Sequence, residues 1–247
     1  MYTPYSPPAA PPQHHYDPTS SFRPLGGLTT AALVAVIASV PVHLATNVVV
    51  MTVAPGAEQL DGDPQAALGA AFVLLGAAAL TIAVNLVAII LFLMWLHRAA
   101  TNVRAFGHQG LEFTPGWCVG WWFVPFANLF KPLQVMKEVW RASDPDAVGT
   151  GDQHDQGWSW RASTVASTMG LWWGAWVVSG ILDRVSGKIE EPALSGSIGI
   201  ASALVSGLAA LLLLPIMRQL AARQDASWAK LQSRYAQAAQ YHGYRAA

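Results

Sequence analysis

The chain is organised around the segment from Trp95 to Ser143, WLHRAATNVRAFGHQGLEFTPGWCVGWWFVPFANLFKPLQVMKEVWRAS. It is the part of the sequence in which aromatic, basic, amide and proline residues occur together. On both sides lie long runs of Ala, Val, Leu and Ile, which are typical of helices that cross a membrane. The stretch is therefore expected to connect membrane helices and to carry the residues that distinguish this protein.

The composition favours a membrane protein. Hydrophobic residues make up 53% of the 247 positions and charged residues only 11%, against roughly 25% charged in soluble domains. Acidic and basic residues cancel at 14 each, so no overall charge attracts nucleic acid, and no nucleic-acid partner is expected. Cys118 is the single cysteine and is expected to be a small apolar packing residue.

Four apolar runs are long enough to be membrane spans. They predict an all-α membrane protein, a four-helix transmembrane bundle in contact with the lipid bilayer. Small residues recur in steps of four in the last two runs, at Gly170 and Gly174 and at Gly199, Ala203 and Gly207, which favours close packing of spans three and four. The predicted membrane domain is 28–217, with spans at about 28–53, 66–96, 164–182 and 193–217.

The distribution of Lys and Arg predicts the orientation. Twelve of the 14 basic residues fall on one side of the membrane if both termini lie on that side. Because basic residues are enriched in cytoplasmic loops, both termini and the central stretch are expected to be cytoplasmic.

Two tails flank the membrane domain. Residues 1–27 are rich in Pro and Tyr and are expected to be a disordered cytoplasmic tail, either a solvated leader or a docking ligand for a protein partner. Residues 218–247 are rich in helix formers, with a loose apolar stripe at Leu220, Trp228, Leu231 and Tyr235. They predict a cytoplasmic amphipathic helical tail, which either lies along the membrane or docks onto the central stretch.

Polar residues inside the first two spans predict an intramembrane polar seam. Antiparallel packing would bring two pairs with four-residue spacing to similar depth, where polar groups need partners. Such groups are commonly interhelical hydrogen-bonding partners, and the functional alternative makes the histidine a proton relay or ligand group. The residues are His43, Asn47, Thr81 and Asn85.

The central segment 97–143 divides into three parts. Span two is expected to continue as a helix past Asn102 and to stop near Gly107. The run 117–130 is short and contains Gly120 and Pro125, so it predicts a re-entrant or interfacial Trp-rich segment. From Pro132, alternating apolar and charged positions predict an amphipathic helix on the cytoplasmic face.

This pattern resembles a bacterial multi-pass membrane family catalogued as domain of unknown function 4328. The resemblance lies in Trp95-x-x-Arg98-Ala99-x-x-Asn102, Thr114-Pro115-Gly116-Trp117, Trp121-Trp122-Phe123-Val124-Pro125-Phe126-Ala127-Asn128, Pro132 and Glu138-x-Trp140-Arg141-Ala142-Ser143, together with Trp172-Trp173-x-x-Trp176. It covers most of residues 66–217 and implies a protein of the bacterial cell (plasma) membrane. It also implies a functional or structural core made of Arg98, Asn102, Trp121, Pro125, Asn128, Pro132, Glu138 and Trp140.

The sequence contains no nucleotide-binding loop, zinc-protease motif or nucleophile elbow, so an enzyme, a cofactor and a metal site are not expected. The acidic loop from Asp144 to Asp155 only partly follows calcium-loop spacing. Two hypotheses remain: a non-catalytic scaffold or partner-binding module, and a small transporter or channel subunit that acts as a homo-oligomer. A pore predicts that Arg98, Glu138 and His43 converge on a water-filled cavity, whereas a scaffold predicts that they are paired or at the surface.

Overall fold

The computed structural model describes residues 22–57, 63–148 and 158–246, apart from the side chains of residues 239 and 241–246. Within these ranges the chain forms helices and connecting turns and no strand, which confirms the all-α prediction. Two short 3-10 turns, Ala127–Leu129 and Ser159–Ala162, lie in the connections. The α-helices are α1 Gly26–Ala57, α2 Pro64–Ala105, α3 Pro115–Gly120, α4 Lys131–Ala142, α5 Thr168–Ser186 and α6 Pro192–Ala246.

The ends of α2 follow from local sequence. Asp63 accepts hydrogen bonds from the backbone amides of Gln65 and Ala66, which otherwise lack partners in a first helical turn, and Pro64 fits that turn without losing a bond. At the other end, Gly107 adopts a positive φ of 80° just after the helix, a conformation that glycine adopts readily. The predicted extension of the second apolar helix past Asn102 to the neighbourhood of Gly107 is confirmed.

Three helices in the described part of the chain are long and apolar enough to cross a membrane: α1, α2 and the Pro192–Ala238 part of α6. Sequence analysis predicted four spans, and α5 is the predicted span that does not belong to this group. It has only 19 residues and includes Asp183 and Arg184 near its end. The three long apolar helices support a membrane protein.

The long helices form an antiparallel bundle. Helix α1 packs against both α2 and α6, and α5 packs against α6. The α5–α6 contact is tied by hydrogen bonds, since the Ser202 hydroxyl donates to the carbonyl of Ser179 at 3.0 Å and Ser186 donates to the carbonyl of Ser195 at 2.8 Å. Close packing of these two helices therefore agrees with the expectation.

The small residues of this bundle face a different neighbour from the one expected. Gly199 packs directly under Asn47 of α1, and Gly207 lies near Val40, also of α1. Around Gly170 and Gly174 of α5, by contrast, no neighbouring atom lies within 4 Å of an added Cβ. The small-residue face of α6 therefore serves the α1–α6 contact, and the glycines of α5 are not part of a helix interface.

The middle of the bundle exposes an apolar surface. Along α2, Phe72 is 73% exposed, Leu75 is 67% exposed and Ile82 is 60% exposed, and Leu204 and Leu211 of α6 are similarly open. Contiguous apolar surface of this extent is rare on soluble monomers. Lipid is the solvent that suits such a surface.

The densest packing lies at one end of the bundle, which we call the basic end. It comprises residues 22–25 and 95–148, the 3-10 turn Ser159–Ala162 and residues 217–231 of α6. Trp95 is fully buried there, donating its ring N–H to the Thr29 hydroxyl at 2.9 Å and stacking on Phe92. Other side chains of this core that are at most 1% exposed include Leu25, Leu96, Val135, Met136, Val139, Val148, Met217 and Leu220.

The two predicted tails are placed differently. Residues 1–21 lie outside the described residues, whereas Phe22 stacks on Trp228 with ring centroids 4.7 Å apart, and Leu25 is fully buried. Residues 218–246 continue α6 without a break. The sequence left two placements open for this tail, along the membrane or docked onto the central stretch. In the structure, the first half of the tail is docked against the central stretch.

Candidate functional site

A network of buried polar groups joins four segments at the basic end, and we call it the polar hub. It consists of the side chains of Asn102, Ser143, Gln224 and Ser227 together with the backbone of Arg23. All four side chains are 0% exposed. Buried polar groups destabilise a fold unless they are hydrogen-bonded, so the connectivity of the hub decides its role.

Every member of the polar hub has a partner. The Asn102 amide donates to Gln224 Oε1 and to the Arg23 carbonyl, both at 2.8 Å, and Asn102 Oδ1 accepts from the Arg23 amide at 3.0 Å. The Gln224 amide donates to the Ala99 carbonyl and to the Ser143 hydroxyl, both at 3.0 Å. Ser227 donates to the Ser143 carbonyl at 3.2 Å. The hub thus links the segment before α1, through Arg23, to α2, the end of α4 and α6.

Asn102 was among the residues predicted for the core, but Gln224 was not. The buried face of α6 runs through Met217, Leu220, Gln224, Ser227 and Leu231, with spacings of three and four residues. This heptad-like spacing was the available signal. Because two of its five positions are polar, this face does not stand out in the sequence as an apolar stripe.

Glu138 closes the turn that precedes α3. Its carboxylate accepts from the backbone amides of Glu112 at 2.8 Å and Phe113 at 3.1 Å, while Arg104 donates to the Phe113 carbonyl at 2.9 Å. Burial raises the pKa of Glu138, against the lowering effect of the two amides. The residue therefore fixes the turn and is already occupied by internal bonds.

Trp140 of α4 contacts α6 and the connection that precedes α5. Its ring N–H donates to the Thr164 carbonyl at 3.1 Å, and the guanidinium of Arg223 lies 4.9 Å from the ring centroid. Arg223 also forms an ion pair with Asp144 at 3.0 Å. Cation–aromatic contact and ion pair together hold α6 against the C-terminal end of α4.

Asp144 has a lowered pKa. Its partial burial opposes ionisation, but hydrogen bonds from the Ser163 hydroxyl and the Asp146 amide, together with the charge of Arg223, outweigh that effect. A lowered carboxyl pKa stabilises the folded state above the pKa of the unfolded chain, and that stabilisation is lost as the pH falls through the folded pKa.

Replacement of Asp144 by asparagine should therefore lower the free energy of unfolding at pH 7 by about 1–2 kcal/mol. The difference from the unchanged protein should begin to shrink below about pH 4, where the unfolded carboxyl takes up a proton, and should disappear only below the lower pKa of folded Asp144, where both states are protonated. Thermal unfolding in detergent between pH 3 and pH 7 measures both effects. Asp146→Asn is the matched control, because its side chain is fully exposed; a pH-independent gap for Asp144→Asn would contradict the assignment.

A tryptophan cluster anchors the connection between α3 and α4. The ring of Trp122 meets Phe92, Trp173 and Trp176 edge-on, with centroids 5.2–5.7 Å apart. Trp173 donates its ring N–H to the Leu129 carbonyl at 3.0 Å. Aromatic pairs in edge-on geometry are among the favourable arrangements, so the cluster fixes this connection against α2 and α5.

Three predicted core residues lie in or beside this connection. Trp121 lies against Trp117 at 4.9 Å, and the Lys131 ammonium is 5.6 Å from its ring centroid. Pro125 is exposed, and the next residue, Phe126, is the only described non-glycine residue with a positive φ, 62°. Pro132 is buried in the first turn of α4. These residues shape the chain path, and their positions follow from turn and first-turn geometry.

Asn128 and Arg98, two further predicted core residues, are half-buried and line separate cavities. Asn128 faces a cavity of about 400 Å³ that Asn85, Trp122 and Arg184 also line. Arg98 lines a separate groove of about 840 Å³, and its guanidinium is 3.4 Å from the Pro24 carbonyl. The predicted core is therefore not one site. The tryptophan cluster borders the smaller cavity, the polar hub borders the groove through Arg23 and Asn102, and the Glu138 turn lines neither.

The four residues of the predicted polar seam also do not meet as one cluster. Asn47 donates to the carbonyl of His43 and Asn85 to the carbonyl of Thr81, each at 2.9 Å within its own helix. Across the α1–α2 contact, Thr81 instead pairs with the Thr46 hydroxyl at 2.7 Å. His43 lies 3.4 Å from Asp183 of α5.

The described residues contain no cluster of three or more His, Cys, Asp or Glu able to hold a metal ion. In the acidic loop, Asp144 pairs with Arg223 and Asp146 lies 3.8 Å from Lys230, while 149–157 lie outside the described residues. Cys118 is 1% exposed, and burial raises the pKa of its thiol to about 12. It is an apolar packing residue in the folded protein rather than a nucleophile.

Comparison with known proteins agrees with the motif resemblance. The sequence profile of a protein family matches residues 58–222, which contain α2 to α5 and the first part of α6. No curated protein and no solved structure matches the chain. Since the matched region is more than half of the chain and holds Asn102, Glu138, Trp140 and the tryptophan cluster, the protein belongs to the family described as Domain of unknown function (DUF4328).

Proposed function

We propose that this protein is a non-catalytic membrane scaffold or partner-binding module. In this proposal it is a four-helix bundle in the bacterial plasma membrane, with both termini in the cytoplasm. Twelve of the 14 basic residues belong to the basic end or its adjoining tails, which supports a cytoplasmic location for that end. Helix α5 would cross the membrane as the fourth span, packed along α6.

The connection 121–130 would be the re-entrant or interfacial segment. Phe123 is 68% exposed, Phe126 is 83% exposed, and both line a cleft beside Ile181 of α5. Exposed aromatic side chains beside a membrane helix favour insertion among the lipids. Helix α4 would lie above this segment, with its apolar face, including Val135, Met136 and Val139, buried in the core of the basic end.

The observation that carries the scaffold proposal is the separation of the three ionisable groups that a pore would bring together. Arg98 contacts the Pro24 carbonyl, Glu138 accepts from two backbone amides, and His43 lies beside Asp183. The three belong to different regions, and neither the groove, the smaller cavity nor the cleft beside Ile181 is lined by more than one of them. Their partners are internal, as expected for a rigid support.

One observation favours transport as the second candidate. Asn85, Asn128 and Arg184 line the same cavity of about 400 Å³ between the helices, and polar groups around an intramembrane cavity commonly mark solute or ion paths. So small a bundle would need to oligomerise to form a pore.

Flux through proteoliposomes tests the two candidates against each other. If the protein is a scaffold, proton, potassium and small-solute flux in vesicles that contain it should equal flux in empty vesicles. Asn128→Leu should then change nothing. Flux above the empty-vesicle rate that Asn128→Leu abolishes would contradict the scaffold proposal and support the transporter.

A pull-down from native membranes tests the partner-binding part. The full chain should recover a stable cytoplasmic partner, and a variant with Pro7, Pro8, Pro11 and Pro12 replaced by alanine should lose it, because polyproline segments dock onto aromatic-lined grooves. Replacement of Pro55 by alanine, far from the tail, is the control. Equal recovery by the tail variant would show that the tail is not the docking element.

A further inference from the structure

A groove of about 840 Å³ lies beside α2 at the basic end, between that helix, the start of α1 and α3. The functions considered above make no use of it. Its volume falls in the range of pockets that hold whole organic ligands, roughly 300–1,000 Å³. The groove is therefore larger than a site for a single ion.

The lining of the groove changes character along α2. Seven of its residues lie on α2, and because they follow spacings of three and four they share one helical face. Nearest the middle of the bundle the face is apolar, with Ile90, Leu93 and Met94, and towards the basic end it becomes polar, with His97, Arg98, Thr101 and Asn102. Leu28 and Val119 complete the apolar wall, and Arg23 lies beside the polar part.

The two arginines of the groove carry positive charge that no described residue neutralises. No carboxylate in the described ranges lies within 4 Å of either guanidinium, and the ion pairs present there use other basic residues, namely His43, Lys131, Arg223 and Lys230. Arg98 is half-buried and Arg23 is exposed. Arginine pairs of this kind bind phosphate oxygens well, because the guanidinium presents several N–H groups in a planar fork.

We propose that this groove binds an anionic glycerophospholipid, with the phosphate held between Arg23 and Arg98 and the acyl chains along Ile90, Leu93 and Met94. Ile90 and Thr101 are about 16 Å apart along the helix, a distance that covers the phosphate, the glycerol and the upper acyl chains. Basic pockets between membrane helices are known lipid headgroup sites. The proposal needs α2 to cross the membrane and does not depend on the scaffold role.

Thermal unfolding of the full-length protein in detergent, with added lipid, tests the proposal. Phosphatidylglycerol should raise the melting temperature in a saturable way, because a ligand that binds only the folded state stabilises it. Phosphatidylcholine at the same concentration should raise it much less. Inorganic phosphate alone should have little effect; an equal effect of free phosphate would overturn the lipid assignment, and no response to phosphatidylglycerol would overturn the site.

Two kinds of variant locate the site. Arg23→Gln combined with Arg98→Gln should weaken phosphatidylglycerol binding by about tenfold or more, whereas Arg234→Gln, an exposed arginine elsewhere on α6, should leave it unchanged. Gly116→Trp should also weaken it, because Gly116 lines the groove and an added Cβ meets no neighbour within 4 Å. Gly69→Trp is its control at the other end of α2. Equal losses for the Arg234 or Gly69 variants would show non-specific binding and overturn the proposal.

Discussion

Replacement of Asn102 by leucine should lower the free energy of unfolding by about 3 kcal/mol or more. The leucine removes the partner of three groups at once: the amide and the carbonyl of Arg23 and the Oε1 atom of Gln224. Each buried polar group left without a partner costs about 1–3 kcal/mol. For a chain of this length the melting temperature should fall by about 6–12 °C, measured by tryptophan fluorescence in detergent.

A double-mutant cycle shows whether the polar hub acts as a unit. Gln224→Leu alone should also be strongly destabilising, but Asn102→Leu with Gln224→Leu should cost less than the sum of the two, since both replacements disrupt the same network. Gln232→Leu on the exposed side of α6 is the matched control and should change stability little. Additive losses would contradict a shared network, and a loss for Gln232→Leu equal to that for Gln224→Leu would contradict the burial assigned to the hub.

Replacement of Gly199 by leucine should separate α1 from α6 and destabilise the protein by on the order of 3 kcal/mol. A side chain at this position would overlap the side-chain amide of Asn47, which packs directly on the glycine. In lipid, helices associate mainly through such close contacts, because no hydrophobic effect drives apolar surfaces together. Melting temperature in detergent and crosslinking between cysteines introduced at Val40 and Gly207 both measure the loss of contact.

Gly174→Leu is the matched control, because it makes the same change on α5 where an added Cβ meets no neighbour within 4 Å. It should be neutral or slightly stabilising, since glycine is a poor helix former. Rescue provides a second check: Gly199→Ala should destabilise less when Asn47 is also replaced by alanine. A Gly174→Leu variant as unstable as Gly199→Leu would place the packing face on α5 and contradict the structure.

These two positions show why helix packing was harder to predict than helix location. The spacing of Gly199, Ala203 and Gly207 correctly indicated a close helix contact, but the same spacing at Gly170 and Gly174 does not mark the face of α5 that packs on α6. A face of small residues permits close approach without specifying the neighbour. The neighbour depends on where the other helices lie, and α1, not α5, supplies the side chains that meet the glycines.

Local sequence was enough to predict the all-α class, the long apolar helices, the extension of α2 past Asn102, the bias of basic residues to one end and the family. All of these follow from patterns within one segment, where composition and three-to-four-residue spacing reflect local physics. The boundary at Gly107 was predictable for the same reason, because glycine ends a helix through its own backbone freedom.

The partners of the candidate residues depend instead on how distant segments pack together. Asn102 and Gln224 are 122 positions apart in the chain and Trp173 and Leu129 are 44 apart, so no local pattern links them. In the structure, the residues of the predicted core are divided among the hub, the Glu138 turn, the tryptophan cluster and the cavities. Arg98 lines a groove together with Arg23. The physical reason is that a buried polar group is satisfied by whichever partner the packing of distant segments brings within hydrogen-bonding distance.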